Sequence, residues 1–287
     1  MVTYNSLEEA LVNEIRAINT SGSETNCRGR VQRETLFRSF RILDPTDLAI
    51  KNPARAFNPA YAFTEWFWYL GKDPNVRNIG KFAKIWLDIA DSTGRVESNY
   101  GTYLLGDQWQ FVKDELQRDP FSRRCTIVIH QPMHKYMNDQ DMPCTQYVQF
   151  FIRDNRLHMG VNMRSNDLIY GFCNDVFTFS LFQQLMLNDL RQIMPDLELG
   201  FYYHNTGSMH VYKRHFDMMS QILEIQDTKE SLGGPPYIVH KPEHKFQLKP
   251  EVTLDLIQSN GYMLPRVEAS KEDMEYIVNE LTDKLFQ

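Results

Sequence analysis

The chain has 287 residues, 42% of them hydrophobic and 24% charged, enough for one large α/β or α+β domain or two small ones. Its formal net charge of −6 argues against a protein that coats nucleic acid, while a few arginines would still suffice to hold one phosphate. Cys27, Cys125, Cys144 and Cys173 form neither a CxxC pair nor a zinc-ligand spacing, and no apolar run approaches the roughly 18 residues of a membrane helix, so free thiols, no metal, no membrane and a reducing cytoplasm are expected.

In chain order, Ser6 to Ile18 reads as a helix, with Ser6 and Glu9 as a capping box and Leu7, Leu11 and Ile15 as an apolar stripe. Asn19 to Arg33, polar and containing Gly22 and Gly29, reads as a loop carrying arginines. Pro59 to Leu70 has helical length and is apolar apart from Thr64 and Glu65; after Gly71-Lys72-Asp73-Pro74, helix is expected to resume up to about Trp86. Cys125 to His130 is a strand candidate. A hairpin follows, Cys144 to Arg153, a turn at Asp154-Asn155, then Arg156 to Arg164. On its second strand Leu157, Met159, Val161 and Met163 face one way and His158, Gly160, Asn162 and Arg164 the other. Asp175 to Leu190 is the candidate for a central buried helix. Gly200 to Tyr212 reads as strand with a turn at Asn205-Thr206-Gly207, Tyr212 to Ile225 as helix, and Gly233-Gly234-Pro235-Pro236 as a break. Ser270 caps a last helix with Met274, Ile277, Leu281 and Leu285 on one face. The mixture predicts an α+β fold, one domain over 1–287, with a C-terminal extension from about residue 227.

The hairpin carries the chemistry. It sets Met142-Pro143-Cys144-Thr145 beside Arg164-Ser165-Asn166-Asp167, a nucleophile next to a polar, anion-binding run, with Gly171 and Asp175 entering the buried helix. A lone cysteine in a strand is ordinarily an inert small hydrophobe. Here its surroundings form part of an ordered set: Glu65 in TEWFWYL, Trp86 in KIW ahead of Tyr100-Gly101, Asp119-Pro120-Phe121-Ser122-Arg123-Arg124, Pro143-Cys144, the Arg164 run with Gly171, and His210-x-Tyr212. In that order, from about Arg28 to about His215, the chain resembles the thymidylate synthase superfamily. Within it, Val148-Gln149, Ile152-Arg153-Asp154, Asn162 to Asp167, Gly171-Phe172, Asn174-Asp175 and His210-Val211-Tyr212 read much like the deoxycytidylate hydroxymethylases of T-even-like bacteriophages.

The resemblance implies a thymidylate-synthase-like α+β fold, a large mixed β-sheet packed with helices, and a homodimer formed through the sheet. It implies dCMP as substrate and 5,10-methylenetetrahydrofolate as co-substrate, no direct nucleic-acid binding, and the host cytoplasm if the protein is phage-encoded. Cys144 would be the nucleophile, its thiol acidified by nearby guanidinium groups. Glu65 would organise water and proton transfer around base and folate, with Tyr100 near the nucleophile. Arg164, Ser165 and Arg28 (or Arg30) would hold the phosphate, joined by Arg123 and Arg124 from the partner subunit. His210 and Tyr212 would bind the sugar 3′-hydroxyl; Trp86, Asp167 and Gly171 would serve the folate.

Asp175 stands where thymidylate synthases have an Asn that bonds N3–H and O4 of uracil. Cytosine presents the reverse pattern, an acceptor at N3 and an amino donor at C4. A carboxyl group accepts from the amino group and shares a proton with N3, so Asp175 favours cytosine; a helix-start Asp serving only as a cap is the bland alternative. Three departures from the synthases bear on the product: Leu87-Asp88-Ile89 replaces a second Trp, Thr145 replaces His after the nucleophile, and the KLFQ end does not resemble their closing tail. The rival expectations are a dUMP-using synthase or hydroxymethylase, a dCMP methylase, and a catalytically idle paralogue that binds nucleotide or RNA.

Overall fold

A computed structural model describes residues 1–137, 140–231 and 245–287. The expected break at Gly233 to Pro236 lies outside the described residues. β1 (Val2–Tyr4) leads into α1 (Leu7–Ser21), where the Ser6 side chain accepts from Glu9 N–H and the Glu9 carboxylate accepts from Asn5 N–H at 2.6 Å, closing the helix start.

The segment Asn19–Arg33 is not a loop. It contains β2 (Ser23–Cys27) and the start of β3 (Arg30–Ile42), paired antiparallel with Cys27 opposite Arg30. Arg28 and Gly29 form the two-residue turn, with φ of 52° and 77°. The polar sequence hid this ribbon because both of its faces meet solvent, so no apolar alternation marks it; Arg33 instead ties it to Asn19 and Glu24.

α2 (Pro59–Gly71) starts on Asn58, whose side chain accepts from Ala60 N–H, with Pro59 at the first helical position where its missing N–H costs nothing. Helix does not resume continuously to Trp86. A 3₁₀ turn at Ile79–Lys81 and the short α3 (Ile85–Ile89) occupy the stretch instead. α4 (Gly101–Leu104) abuts the end of α2 so closely that a Cβ on Gly101 would sit 1.7 Å from the Tyr69 carbonyl oxygen. α5 (Asp107–Arg118) precedes β4 (Thr126–Val128), then come β5 (Thr145–Arg153) and β6 (Arg156–Asp167), joined at Asp154-Asn155 as the sequence predicts, both with positive φ. Leu157, Met159, Val161 and Met163 are all buried, as their alternation requires.

α6 (Gly171–Arg191) is buried over most of its length and carries the chain from β6 to the parallel β7 (Glu198–Tyr212). No turn interrupts β7 at Asn205-Thr206-Gly207: Asn205, Thr206 and, beyond Gly207, Ser208 pair with β3 on one side and β6 on the other. Thr206 is buried, and Gly207 is needed because a Cβ there would lie 2.9 Å from the Arg164 carbonyl oxygen. The sheet runs β1-β3-β7-β6-β5-β4, with β2 on β3; β1/β3 and β6/β7 are parallel and the other pairs antiparallel. The fold is therefore α+β, with a large mixed sheet packed with helices.

α1, α5 and α6 touch the sheet, and α1 and α5 each touch α6, so these helices share one face. On the other face Phe151, Phe201 and Tyr203 are half-buried and Tyr147 is exposed. α7 (Phe216–Ser231) packs on α1; α8 (Leu254–Asn260) and α9 (Lys271–Leu285) pack on α6 and α2. Ser270 caps α9 by accepting from Asp273 N–H, and Met274, Leu281 and Leu285 are buried while Ile277 is half-buried against the same core. Phe286 closes that core on the rings of Phe63 and Trp66.

Candidate active site

A cavity of about 660 Å³ opens between α2, the α3 segment, the C-terminal ends of β6 and β7, the N-terminal ends of β3 and β5, and the start of α6. Among the residues the sequence singles out, Arg28, Glu65, Trp86, Tyr100, Cys144, Arg164, Asp167, Gly171, Asp175 and Tyr212 line it. Arg30 lines it too, so both arginines of the β2–β3 turn face the same space. Arg123 and Arg124 do not line it; both are exposed beside β4. Ser165 lies just behind it on β6, next to Arg164, opposite Ser208 of β7. His210 also lies behind the lining, opposite Asp167; it is buried, with its ring 4.8 Å from that of Tyr212.

Cys144 immediately precedes β5, and its carbonyl accepts from Arg164 N–H at 2.8 Å. The Arg164 guanidinium donates to the carbonyls of Pro143 (3.1 Å) and Met142 (2.7 Å), so it splints the segment that carries the thiol. The expected acidification of Cys144 is not what the fold produces. Burial pushes the thiol up, Arg164 offsets this only in part, and the charges of Asp175 and Asp141 push the same way as burial. Tyr100 stacks on Tyr69 and Phe179, at centroid distances of 5.4 and 5.6 Å, which fixes its ring against the cavity.

Glu65 lies inside α2 at 5% exposure. Burial pushes its carboxyl up to about 8, with the charge of Asp175 adding and a hydrogen bond from Tyr61 opposing. Tyr61 is a residue the sequence reading missed: its hydroxyl donates to Glu65 Oε1 at 3.1 Å and accepts from the Trp86 indole at 3.0 Å. The one-turn spacing of Tyr61 and Glu65 on a helix was the available signal. Burial also pushes Asp175 up to about 7, opposed by a hydrogen bond from Asn166 and reinforced by Asp167. Two carboxyl groups that titrate near neutrality thus share one cavity with a thiol.

Asp141, also missed, accepts from Glu97 N–H (2.6 Å), Ser98 N–H (2.8 Å) and Ser98 Oγ–H (2.5 Å). It ties the approach to Cys144 to the approach to Tyr100. Arg55, buried over the rings of Phe57 and Tyr170, adds a further cation to the lining.

The family model described as thymidylate synthase matches residues 10–259. The chain belongs to the thymidylate synthase family. A deoxycytidylate 5-hydroxymethyltransferase from Enterobacteria phage T6 is 35% identical over 184 residues, covering 60% of this chain and 75% of that protein. Its counterpart from phage T4 is 34% identical with the same coverage. A thymidylate synthase from Bacillus subtilis subsp. natto is 29% identical over 196 residues, covering 63% of this chain and 64% of that protein.

Thymidylate synthase family membership makes the protein an enzyme of one-carbon transfer to a nucleotide, in a family that uses methylenetetrahydrofolate as co-substrate. Arg28, Arg30 and Arg164 bring cationic groups to the cavity, Phe82, Ile85, Trp86 and Ile89 apolar ones, and Asp167 and Asn174 further polar ones. No helix among the described residues is long and apolar enough to cross a membrane.

Proposed function

We propose that this enzyme transfers a one-carbon unit from 5,10-methylenetetrahydrofolate to C5 of dCMP and completes it with water, giving 5-hydroxymethyl-dCMP and tetrahydrofolate. The observation that carries the reading is Asp175: a carboxyl in the cavity, pushed up to about 7, that exists in both protonation states near neutrality. In its neutral form it donates to N3 of cytosine and accepts from the 4-amino group. An amide at the same place matches N3–H and O4 of uracil but has no acidic proton to hand over. The resemblance to phage deoxycytidylate 5-hydroxymethyltransferases points the same way.

The Cys144 thiol gives up its proton to a base in the cavity and its sulfur bonds to C6 while Asp175 passes its own proton to N3. The ring double bond shifts from C5–C6 to C4–C5, so that C5 becomes the nucleophilic carbon of a neutral enamine, takes the methylene supplied by the folate, and then loses its own proton to leave an exocyclic methylene. Once tetrahydrofolate has left, Glu65, held by Tyr61 and titrating in the right range, directs water onto the exocyclic carbon. The N3 proton returns to Asp175 as the Cys144 sulfur departs. Arg28, Arg30 and Arg164 hold the phosphate, Ser165 supports them, and His210 and Tyr212 serve the sugar hydroxyl. Trp86, Asp167 and Gly171 form the folate side.

The same reading takes 1–287 as one domain and the protein as a homodimer built on a second copy of this chain. Arg123 and Arg124 lie outside the cavity of their own subunit, and the sheet face with Tyr147, Phe151, Phe201 and Tyr203 carries none of α1, α5 and α6. Mass analysis of the product formed from dCMP or dUMP with methylenetetrahydrofolate tests the substrate and the product. The expected result is a hydroxymethyl product from dCMP. Product from dUMP alone, or a methyl product, would overturn it.

A further inference from the structure

Asn166 lies behind the cavity wall. It is 3% exposed, and its Nδ2 donates to Asp175 Oδ2 at 2.7 Å. Its own Oδ1 is buried with no hydrogen-bond partner among the described residues. Leaving an amide oxygen unpaired costs about 1–3 kcal/mol, so the orientation is held by what the N–H does. Turning the amide over would set two oxygens against each other whenever Asp175 is ionised. Gly171 keeps the approach open: a Cβ there would fall 3.2 Å from Asn166 Nδ2 and 3.6 Å from Asp175 Oδ2.

The geometry points to Asn166 as a positioning residue that steers the Asp175 proton onto Oδ1, so that the proton is delivered to the ring nitrogen of the base. The inference rests on the reading of Asp175 as the group that faces the base. In a neutral carboxyl group the doubly bonded oxygen is the better acceptor, so the oxygen that takes the Asn166 N–H is that one, and the hydroxyl falls on the other. When the proton leaves, the O–H bond breaks, its electron pair stays on the carboxylate, and an N–H bond forms on N3. The Asn166 hydrogen bond then becomes charge-assisted and roughly doubles in strength. Its benefit is therefore largest in the transition state and smallest in the bound ground state.

The surroundings of Asp175 sharpen this role. Glu65 of α2, Asp167 of β6 and Cys144 before β5 are the acids that act on it or feel its charge. The phenols Tyr61 and Tyr69 of α2, Tyr100, and Tyr202 of β7, and the Cys173 thiol on α6 itself, are all pushed up and stay neutral. No cation is among the groups that shift Asp175, which leaves Asn166 as the donor that favours its ionised form.

The test compares wild type with Asn166→Ala and with the near-isosteric Asn166→Asp, which preserves the volume and removes the donor. Two readouts are taken: the Asp175 carboxyl carbon titrated by 13C NMR, identified by its loss in Asp175→Asn, and the pH profile of kcat for dCMP. The carboxyl titration and the high-pH limb of kcat are expected to move upward together in both variants, further in Asn166→Asp, where a like charge replaces the donor. kcat is expected to fall by about tenfold to a hundredfold with KM for dCMP changed far less. An unmoved carboxyl titration in a folded variant, or a loss carried by KM, would overturn the role of Asn166. Wild-type turnover of dUMP alone would instead sink the cytosine reading, and the NMR titration, which needs no substrate, would still decide the Asn166 question.

Discussion

Glu65→Gln is expected to make the protein more stable at neutral pH and nearly inactive. Glu65 is buried in α2, and its carboxyl, ordinarily near 4.5, is pushed up to about 8. The folded value is raised, so its contribution to stability is complete below the unfolded value and is lost as pH rises towards 8. Each pH unit in that window costs about 1.4 kcal/mol, or about 3 kcal/mol by neutrality. Glutamine has nearly the same shape, never ionises, and keeps an acceptor for the Tyr61 hydroxyl. Urea unfolding of both proteins at about pH 5 and about pH 7.5 should show a variant whose advantage grows by about 3 kcal/mol between the two. Turnover at the higher pH should fall by at least about a hundredfold, the scale of a lost proton-transfer group. A gap in unfolding free energy that is the same at both pH values would refute the reasoning, because it would mean that the carboxyl is already ionised and paired in the fold.

The remaining expectations concern the base, the nucleophile and the subunit interface. Asp175→Asn should move the ratio of kcat/KM for dCMP over dUMP towards dUMP, with dCMP turnover lost more than dCMP binding; a ratio that stays put removes Asp175 as base selector. Cys144→Ala should abolish turnover while calorimetry still shows nucleotide binding, and turnover above a small fraction of wild type would end its assignment as nucleophile. Arg124→Ala and Cys144→Ala should each be nearly inactive alone, yet a mixture of the two should regain activity through hybrid sites. A fully active monomer in sedimentation would dismiss shared arginines.

The helical and hairpin frame was legible where one face is apolar and the other wet, as in α1 and in β6 with its buried Leu157, Met159, Val161 and Met163. Periodicity fails where both faces share one environment. β2 is polar on both sides and read as loop; Asn205-Thr206-Gly207 has turn composition, yet it lies mid-sheet with a neighbour on each side. The stretch after Gly71 is held less by its own propensity than from outside: Asn78 donates to the carbonyls of Pro265 and Val267, and Lys81 to that of Ala269. In the site, the motif residues were readable, whereas Tyr61, Asn166 and Asp141 act through a second side chain or a backbone amide, and of these only Tyr61 leaves a spacing, one helical turn before Glu65. The direction in which the Cys144 thiol is pushed was not legible because the sequence shows the arginines but neither the burial of the sulfur nor the carboxyl groups of Asp175 and Asp141 that the fold brings near it.

β7 joins β3 on one edge to β6 on the other, and this has a consequence for a chain still being made. Cys144 and the Arg164 run leave the ribosome with their hairpin complete, and the Arg28–Arg30 turn leaves long before them. The strand that brings these pieces to one cavity is Glu198–Tyr212, which comes after both. Contacts so distant in sequence are slow to close. If these arginines hold the phosphate as proposed, a nucleotide finds no complete cradle on a nascent chain shorter than this strand and cannot template its folding. Its stabilising effect, which grows with the logarithm of its concentration over its dissociation constant, begins only once the middle of the sheet is zipped.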